Sequence, residues 1–254
     1  MSDDAEGTVS TEVRGRVLVV RIDREAKRNA IDPAITEGIG AALDRLEDDP
    51  DLWAGVITGT TEVFSAGTDM RAGMSGTERG GQYGIIARRR LKPLVAAVEG
   101  FALGGGMEVV LACDLVVASR RATFGLPEVH RSLVPICAGV FRSVRALPLN
   151  VAKEMLLTGD PIDADRAERI GLVNRIVDPG AALEEAVALA DRISRNGPVA
   201  VRETMRILDG LVADDDARGW ELTAVAEQAI YGADDTREGV TAFFERREPR
   251  WTGR

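Results

Sequence analysis

The chain of 254 residues has two cysteines, one histidine and only 4% aromatic residues. Two Cys and one His do not make a four-ligand Cys/His zinc site, and no H-E-x-x-H is present, so no metal is expected. Cys113 and Cys137 stand among apolar neighbours, the setting of reduced thiols in a cytoplasmic protein rather than of a disulfide framework. No apolar run reaches the ~18 residues that cross a bilayer. Residues 1–10 are acidic and have neither the basic nor the apolar region of a signal peptide, and residues 1–12 are read as a disordered start. Neither G-x-x-x-x-G-K-[ST] nor G-x-S-x-G occurs, which removes Walker-type nucleotide binding and the serine-hydrolase elbow. Gly38 and Gly40 lie inside a helical pattern without a third glycine, so the dinucleotide fingerprint is not met. Positive charge is also scarce. With 32 Lys and Arg against 41 Asp and Glu, the net charge is −9, and the overall field repels nucleic acid and anionic membranes.

What is present is the composition of a globular protein, 45% hydrophobic and 29% charged. The pattern predicts strands over 17–22, 52–58, 94–98, 115–118 and 173–177. Ile35, Ile39, Leu43 and Leu46 recur at helical spacing after Asp32-Pro33, an acidic cap followed by proline at the first helical position. Residues 70–81 are Gly-rich and polar, and read as a mobile access loop. Further helices are expected over 107–112, 152–157, 164–170, 181–195, 199–211, 220–231 and 237–247. The reading is an α/β core over 13–197 and a helical region over 198–254, joined without a linker.

One segment carries chemistry. Three consecutive glycines, Gly104 to Gly106, open the helix expected next, where N–H groups lack intrahelical partners and the helix dipole favours negative charge. Glu108 follows Gly105 by three positions, and Cβ vectors tilt toward the helix N-terminus, so its carboxylate is aimed beside the Gly105 N–H. The alternative is a capping interaction, in which a first-turn Glu satisfies backbone donors. Glu128, in Leu126-Pro127-Glu128, is equally compatible with a helix entrance.

The run Lys92-Pro93-Leu94-Val95-Ala96-Ala97-Val98-Glu99-Gly100-Phe101-Ala102-Leu103-Gly104-Gly105-Gly106-Met107-Glu108, followed by Ala112-Cys113-Asp114, resembles the signature of the crotonase superfamily, the enoyl-CoA hydratases and isomerases. Arg28-Asn29-Ala30-Ile31 and Phe64-Ser65-Ala66-Gly67-Thr68-Asp69 upstream are similar to the family's strand-end motif and first oxyanion-hole loop. Phe124-Gly125-Leu126-Pro127-Glu128, Leu157-Thr158-Gly159, Gly171-Leu172-Val173 and Glu238-Gly239 continue in family order.

The resemblance implies a crotonase-like ββα superhelix with a helical C-terminal trimerisation region, assembling as a homotrimer or hexamer. It implies an acyl-CoA thioester as substrate, coenzyme A being part of that substrate, and no other cofactor. Thr68 and Gly105 match the backbone donors of the oxyanion hole, and Glu108 and Glu128 match the two catalytic carboxylates. Ligand contacts are expected from Lys27, Arg28 and Ala30 on the first loop, from Ala66, Gly67 and Asp69 around the hole, from His130, and from Phe244 and Arg247 near the C-terminus, with Arg246 as a further basic candidate. The expected reaction is hydration of a 2-enoyl-CoA. The alternatives are enoyl-CoA isomerisation and a non-catalytic, RNA-binding homologue. That last idea rests on Arg88-Arg89-Arg90 with Lys92, a run otherwise read as a solvated helix face. Two departures from the family pattern stand out: Ser132 replaces a glycine, and Pro135-Ile136-Cys137-Ala138-Gly139 replaces Pro-Gly-x-Gly-Gly. A β-branched Ile136 does not suit a positive-φ turn, so the loop is expected to take another path and reshape the acyl pocket.

Overall fold

The computed structural model describes residues 6–254. The elements are β1 (Thr8–Arg14), β2 (Val17–Asp23), α1 (Pro33–Asp48), β3 (Ala54–Thr58), β4 (Gly76–Thr77), β5 (Gly81–Gln82), β6 (Leu94–Val98), β7 (Phe101–Leu103), α2 (Gly105–Leu111), β8 (Leu115–Ser119) and β9 (Thr123–Gly125). They continue with α3 (Gly139–Ala146), α4 (Leu149–Thr158), β10 (Ile162–Asp163), α5 (Ala164–Arg169), β11 (Arg175–Val177), α6 (Ala182–Ser194), α7 (Pro198–Gly232) and α8 (Asp234–Glu245). Short 3-10 turns cover Glu25–Lys27 and Pro127–Arg131.

The main sheet has the order β1-β2-β3-β6-β8-β11 and is parallel except for β1. Side chains alternate along a strand, so Val17 and Val19 of β2 face one side while Leu18, Val20 and Ile22 face the other. The first side is covered by α6 through Ala182, Ala186, Leu189 and Ala190. The second packs with Ile35, Ile39, Leu43 and Leu46 of α1. Burial on both sides explains why these strands read as continuous apolar runs. Asp32 caps α1 as its sequence predicts, accepting from Ile35 N at 2.9 Å, and also takes the Gly7 N–H at 2.8 Å.

A smaller sheet, β10-β9-β7, is extended by single bridges from Ala102 to Ser65 and from Thr68 to Ile31. Four distant segments thereby come into neighbouring positions: the Asn29 loop, the Ser65–Thr68 loop, the end of β7 and the end of β9.

The structure corrects several expectations. Residues 8–12 belong to β1, whose partner β2 organises them, while residues 1–5 of the expected disordered start lie outside the described residues. The segment 70–81 holds β4 and the first residue of β5, which pair as a hairpin. The helices expected over 199–211 and 220–231 are one helix, α7; its Gly219 is a point of close approach to Phe141 rather than a break, since a Cβ there would lie 2.4 Å from that ring. Helix α3 was not expected at all.

The basic run is not a helix face, and of its four charged residues only Arg89 is exposed. Arg88 donates to Asp44 and to the Gly40 and Gly84 carbonyls, Arg90 to Asp114 and the Ala112 carbonyl, and Lys92 Nζ to the Leu46 and Asp49 carbonyls; all three side chains are buried. Asp114 also accepts the Leu94 N–H at 2.7 Å, fixing the start of β6. Asp114→Ala should leave a buried guanidinium without its counter-charge and lower stability by about 3 kcal/mol. A fall in the urea midpoint at unchanged m-value is the expected reading.

Candidate active site

Strand β7 runs into Gly104, at φ 54° and ψ −127°, a conformation readily open only to glycine. Its N–H donates to Gly125 O at 2.9 Å, anchoring the turn to β9. Helix α2 begins at the next residue. On the facing loop Gly67 sits at φ 94°, where a Cβ would lie 2.7 Å from Leu103 O and 2.8 Å from Gly105 N. Only glycine lets these two backbones approach so closely. Ile31 N donates to Gly67 O and Asp69 N to Ile31 O, which leaves the Thr68 N–H between them without a protein acceptor among the described residues; the Gly105 N–H is in the same state. Two unpaired donors on facing loops suit an oxygen that gains negative charge.

The supporting groups explain why the loops hold. Buried Asn29, at φ 52°, donates to Val63 O and Phe64 O and accepts the Arg24 N–H. Ser65 Oγ donates to Asn29 O at 2.7 Å and accepts the Gly67 N–H at 3.1 Å. Asp69 binds the Arg71 and Ala72 N–H groups and pairs with Arg24 at 2.6 Å. Both of its oxygens are thus engaged within the protein, and Asp69 shapes the loop.

Two carboxyl groups reach this place. Glu108, only 2% exposed, accepts through Oε1 from Cys137 N at 2.8 Å and Gly139 N at 3.1 Å. It does not cap its own helix, because the Gly104 N–H is taken by Gly125. Burial, reinforced by the charge of Glu128, pushes the Glu108 carboxyl up to about 8 against the pull of those two N–H donors. Glu128 lies in the Pro127–Arg131 turn, with Oε1 at 3.1 Å from where a Gly104 Cβ would stand. Its Oε2 is buried without a hydrogen-bond partner. Burial raises Glu128 to about 7, against its own backbone N–H and the nearby Arg131.

The other expected ligand residues divide into two groups. Lys27, Arg28 and Ala30 lie on the loop whose Arg28 carbonyl receives the Ala66 N–H, so the first loop and the hole loop are joined. Phe244 is exposed beneath Arg71, whose guanidinium stands 5.5 Å from the ring centroid. His130 is engaged elsewhere: its Nε2 meets Thr158 O at 2.7 Å and its ring packs on Gly159. Arg247 is paired with Glu238 and Glu245, and Arg246 terminates α8 at φ 54°. Among the described residues no group of three His, Cys, Asp or Glu side chains is placed to hold a metal, and no helix is long and apolar enough to cross a membrane.

In the glycine-poor loop Ile136 avoids the positive-φ region, as expected of a β-branched residue. The left-handed position falls on Ala138, at φ 70°, while Ser132 takes φ 53°; Ile136 stays outside that region. Sequence reasoning also missed Tyr83, one of two tyrosines in the chain, which lies two residues beyond the segment read as mobile. Its 2% exposure marks it as part of the interior.

The family model for enoyl-CoA hydratase/isomerase matches residues 12–254. A mevalonyl-coenzyme A hydratase of Aspergillus fumigatus is 38% identical over 253 residues, covering 92% of this chain and 91% of its own. An enoyl-CoA hydratase of Mycobacterium tuberculosis is 35% identical over 254 residues, covering 96% of each. The crystal structure of a carnitinyl-CoA hydratase from Mycobacterium avium superposes with a TM-score of 0.92 at 40% identity, covering 97% of this chain and 99% of that one. The chain belongs to the enoyl-CoA hydratase/isomerase family and has the crotonase fold.

The raised Glu108 gives a pH signature. Its folded value of about 8 exceeds the ordinary 4.5, so the folded protein holds a proton that the unfolded chain releases between these values. Stability from this group is complete below 4.5 and is lost as pH rises through about 8. Glu108→Gln, which stays neutral, should gain on the parent protein by up to about 4 kcal/mol as pH rises across that window. Melting temperatures of both proteins at pH 5 and pH 9 check this; an equal difference at the two pH values contradicts it.

Proposed function

We propose that this protein is an acyl-CoA hydro-lyase that adds water to a 2-enoyl-CoA, or removes it from a 3-hydroxyacyl-CoA. The observation that carries the reading is the pair of buried carboxyl groups, Glu108 and Glu128, beside the unpaired N–H groups of Thr68 and Gly105. Those N–H groups receive the thioester oxygen. Polarisation makes C3 electrophilic and stabilises the enolate that forms when water attacks. One carboxylate takes a proton from water as its oxygen bonds to C3, and a proton is delivered to C2. The buried, unpartnered Oε2 suits Glu128 to the larger share of proton transfer. Glu108, with Oε1 fixed by two backbone donors, suits the orientation of the water. The addition is redox-neutral, so the only coenzyme in this reaction is the CoA of the substrate. The relatives named for mevalonyl- and carnitinyl-CoA support a CoA ester as ligand and hydration as its chemistry. The setting proposed is cytoplasmic acyl-CoA metabolism, and the supporting argument is the pair of unbridged cysteines, Cys113 and Cys137.

Isomerisation needs a single carboxyl acid/base, and the burial of a second one beside the first favours hydration. An RNA-binding role loses its support, because Arg88, Arg90 and Lys92 are buried and internally paired. Glu128→Gln should lower both hydration of a 2-enoyl-CoA and isomerisation of a 3-enoyl-CoA by about 10²-fold or more, whereas Glu108→Gln should suppress hydration far more than isomerisation. Intact hydration in Glu108→Gln would favour the isomerase. Unchanged rates in both variants would remove the enzymatic assignment.

Assembly is proposed as a homotrimer or hexamer. Helix α7 exposes Ile207, Leu208, Leu211, Leu222 and Val225, more apolar surface than an isolated helix face needs. Light scattering at micromolar concentration should give three or six times the 27.2 kDa chain mass; a monomer would sink the assignment.

A further inference from the structure

Tyr83 is absent from the reaction outlined above, yet it touches both sides of the hole. Its hydroxyl lies 2.6 Å from Thr68 Oγ1. Its ring covers Gly105 so closely that a Cβ there would be 2.7 Å from the phenol oxygen and 2.8 Å from Cζ. One side chain therefore links the two residues whose N–H groups are unpaired. The backbone at Tyr83 is held at φ 54°. That region is costly for a bulky residue, and such positions persist where the surroundings dictate them, often at functional sites.

The proton count gives the phenol a task. Two hydroxyl groups 2.6 Å apart carry two protons, and only one lies between them. The second is left to donate elsewhere. Cys137 is the other group beside the phenol, and its sulfur is a weak acceptor. Burial and the charge of Glu108 push the Tyr83 ionisation well above its usual value, so the group stays a neutral donor throughout the working range.

We propose that the Tyr83–Thr68 hydroxyl pair supplies a third hydrogen bond to the thioester oxygen, alongside the Thr68 and Gly105 N–H groups. The proposal rests on the hydratase reading, and its test separates the two. The probe is a cinnamoyl-CoA bearing a para-dimethylamino group, whose absorption moves to longer wavelength when its carbonyl is polarised. An S-alkyl-CoA thioether, which lacks the carbonyl, measures binding of the remainder.

Tyr83→Phe should lower kcat for 2-enoyl-CoA hydration by about tenfold or more and shrink the red shift. Its affinity for the thioether should stay within about twofold. Thr68→Val, which keeps the backbone donor, should behave alike, and the double variant should be little worse than either single change, since the pair acts as a unit. The conclusion is overturned if Tyr83→Phe retains both the kcat and the red shift of the parent. It is also overturned if the loss of kcat is matched by weaker thioether binding while the red shift is intact, which would make Tyr83 a packing residue. Absence of any red shift in the parent protein would instead overturn the placement of the hole.

Discussion

The close approach of two backbones, at Gly67 and at Gly104–Gly105, is the constraint on which the rest of the site depends. Neither position has room for a Cβ: one at Gly67 would collide with Leu103 O and Gly105 N, and one at Gly105 with Tyr83. Because the loops meet there, the unpaired N–H groups of Thr68 and Gly105, 37 residues apart in sequence, belong to backbones in close contact. The smaller sheet sets this up through the Ile31–Thr68 and Ser65–Ala102 bridges. The main sheet, rigid between α1 and α6, gives these loops a fixed base. A donor pair held this way needs no rearrangement as charge develops on a bound oxygen.

Two carboxyl groups buried beside such a place would oppose folding if both were ionised. The structure answers by raising both, to about 8 for Glu108 and about 7 for Glu128, so that protons are retained on these carboxyl groups close to neutral pH. The same desolvation that makes the site useful makes it less stable in alkaline solution. Cys137 and Gly139 moderate the effect at Glu108 by donating to a single oxygen, which orients the carboxyl without holding it ionised.

Much of this was legible in the residues. Asp32-Pro33 and the period of Ile35, Ile39 and Leu43 described α1 closely, since a cap and an apolar stripe are local properties. Gly104 to Gly106 were legible as a glycine turn that opens a helix, because a run of glycines before an apolar periodic segment is also a local property. What was not legible is set by distant contacts. Strand β1 has no apolar pattern of its own and exists through its pairing with β2. Arg88, Arg90 and Lys92 are charged yet interior, because Asp44, Asp114 and the carbonyls at the end of α1 await them. Tyr83 was hidden by its glycine-rich neighbourhood, and the approach of His130 to the helix end at Thr158 is a contact across 28 positions that neither segment announces.

The turn that carries Glu128 is packed from outside by α8: Thr236 Oγ1 donates to Ser132 O at 3.0 Å across 104 positions of sequence, and Gly239 lies against Arg131 O where no Cβ would fit. During synthesis both loops of the hole, and both glutamates, are therefore made long before the helix that braces one of them. A nascent chain can assemble the donors early, but the Glu128 turn gains its outer support only when residues 234–245 have emerged. Completion of the Glu128 turn is in this sense a late event, timed by the order in which the chain leaves the ribosome.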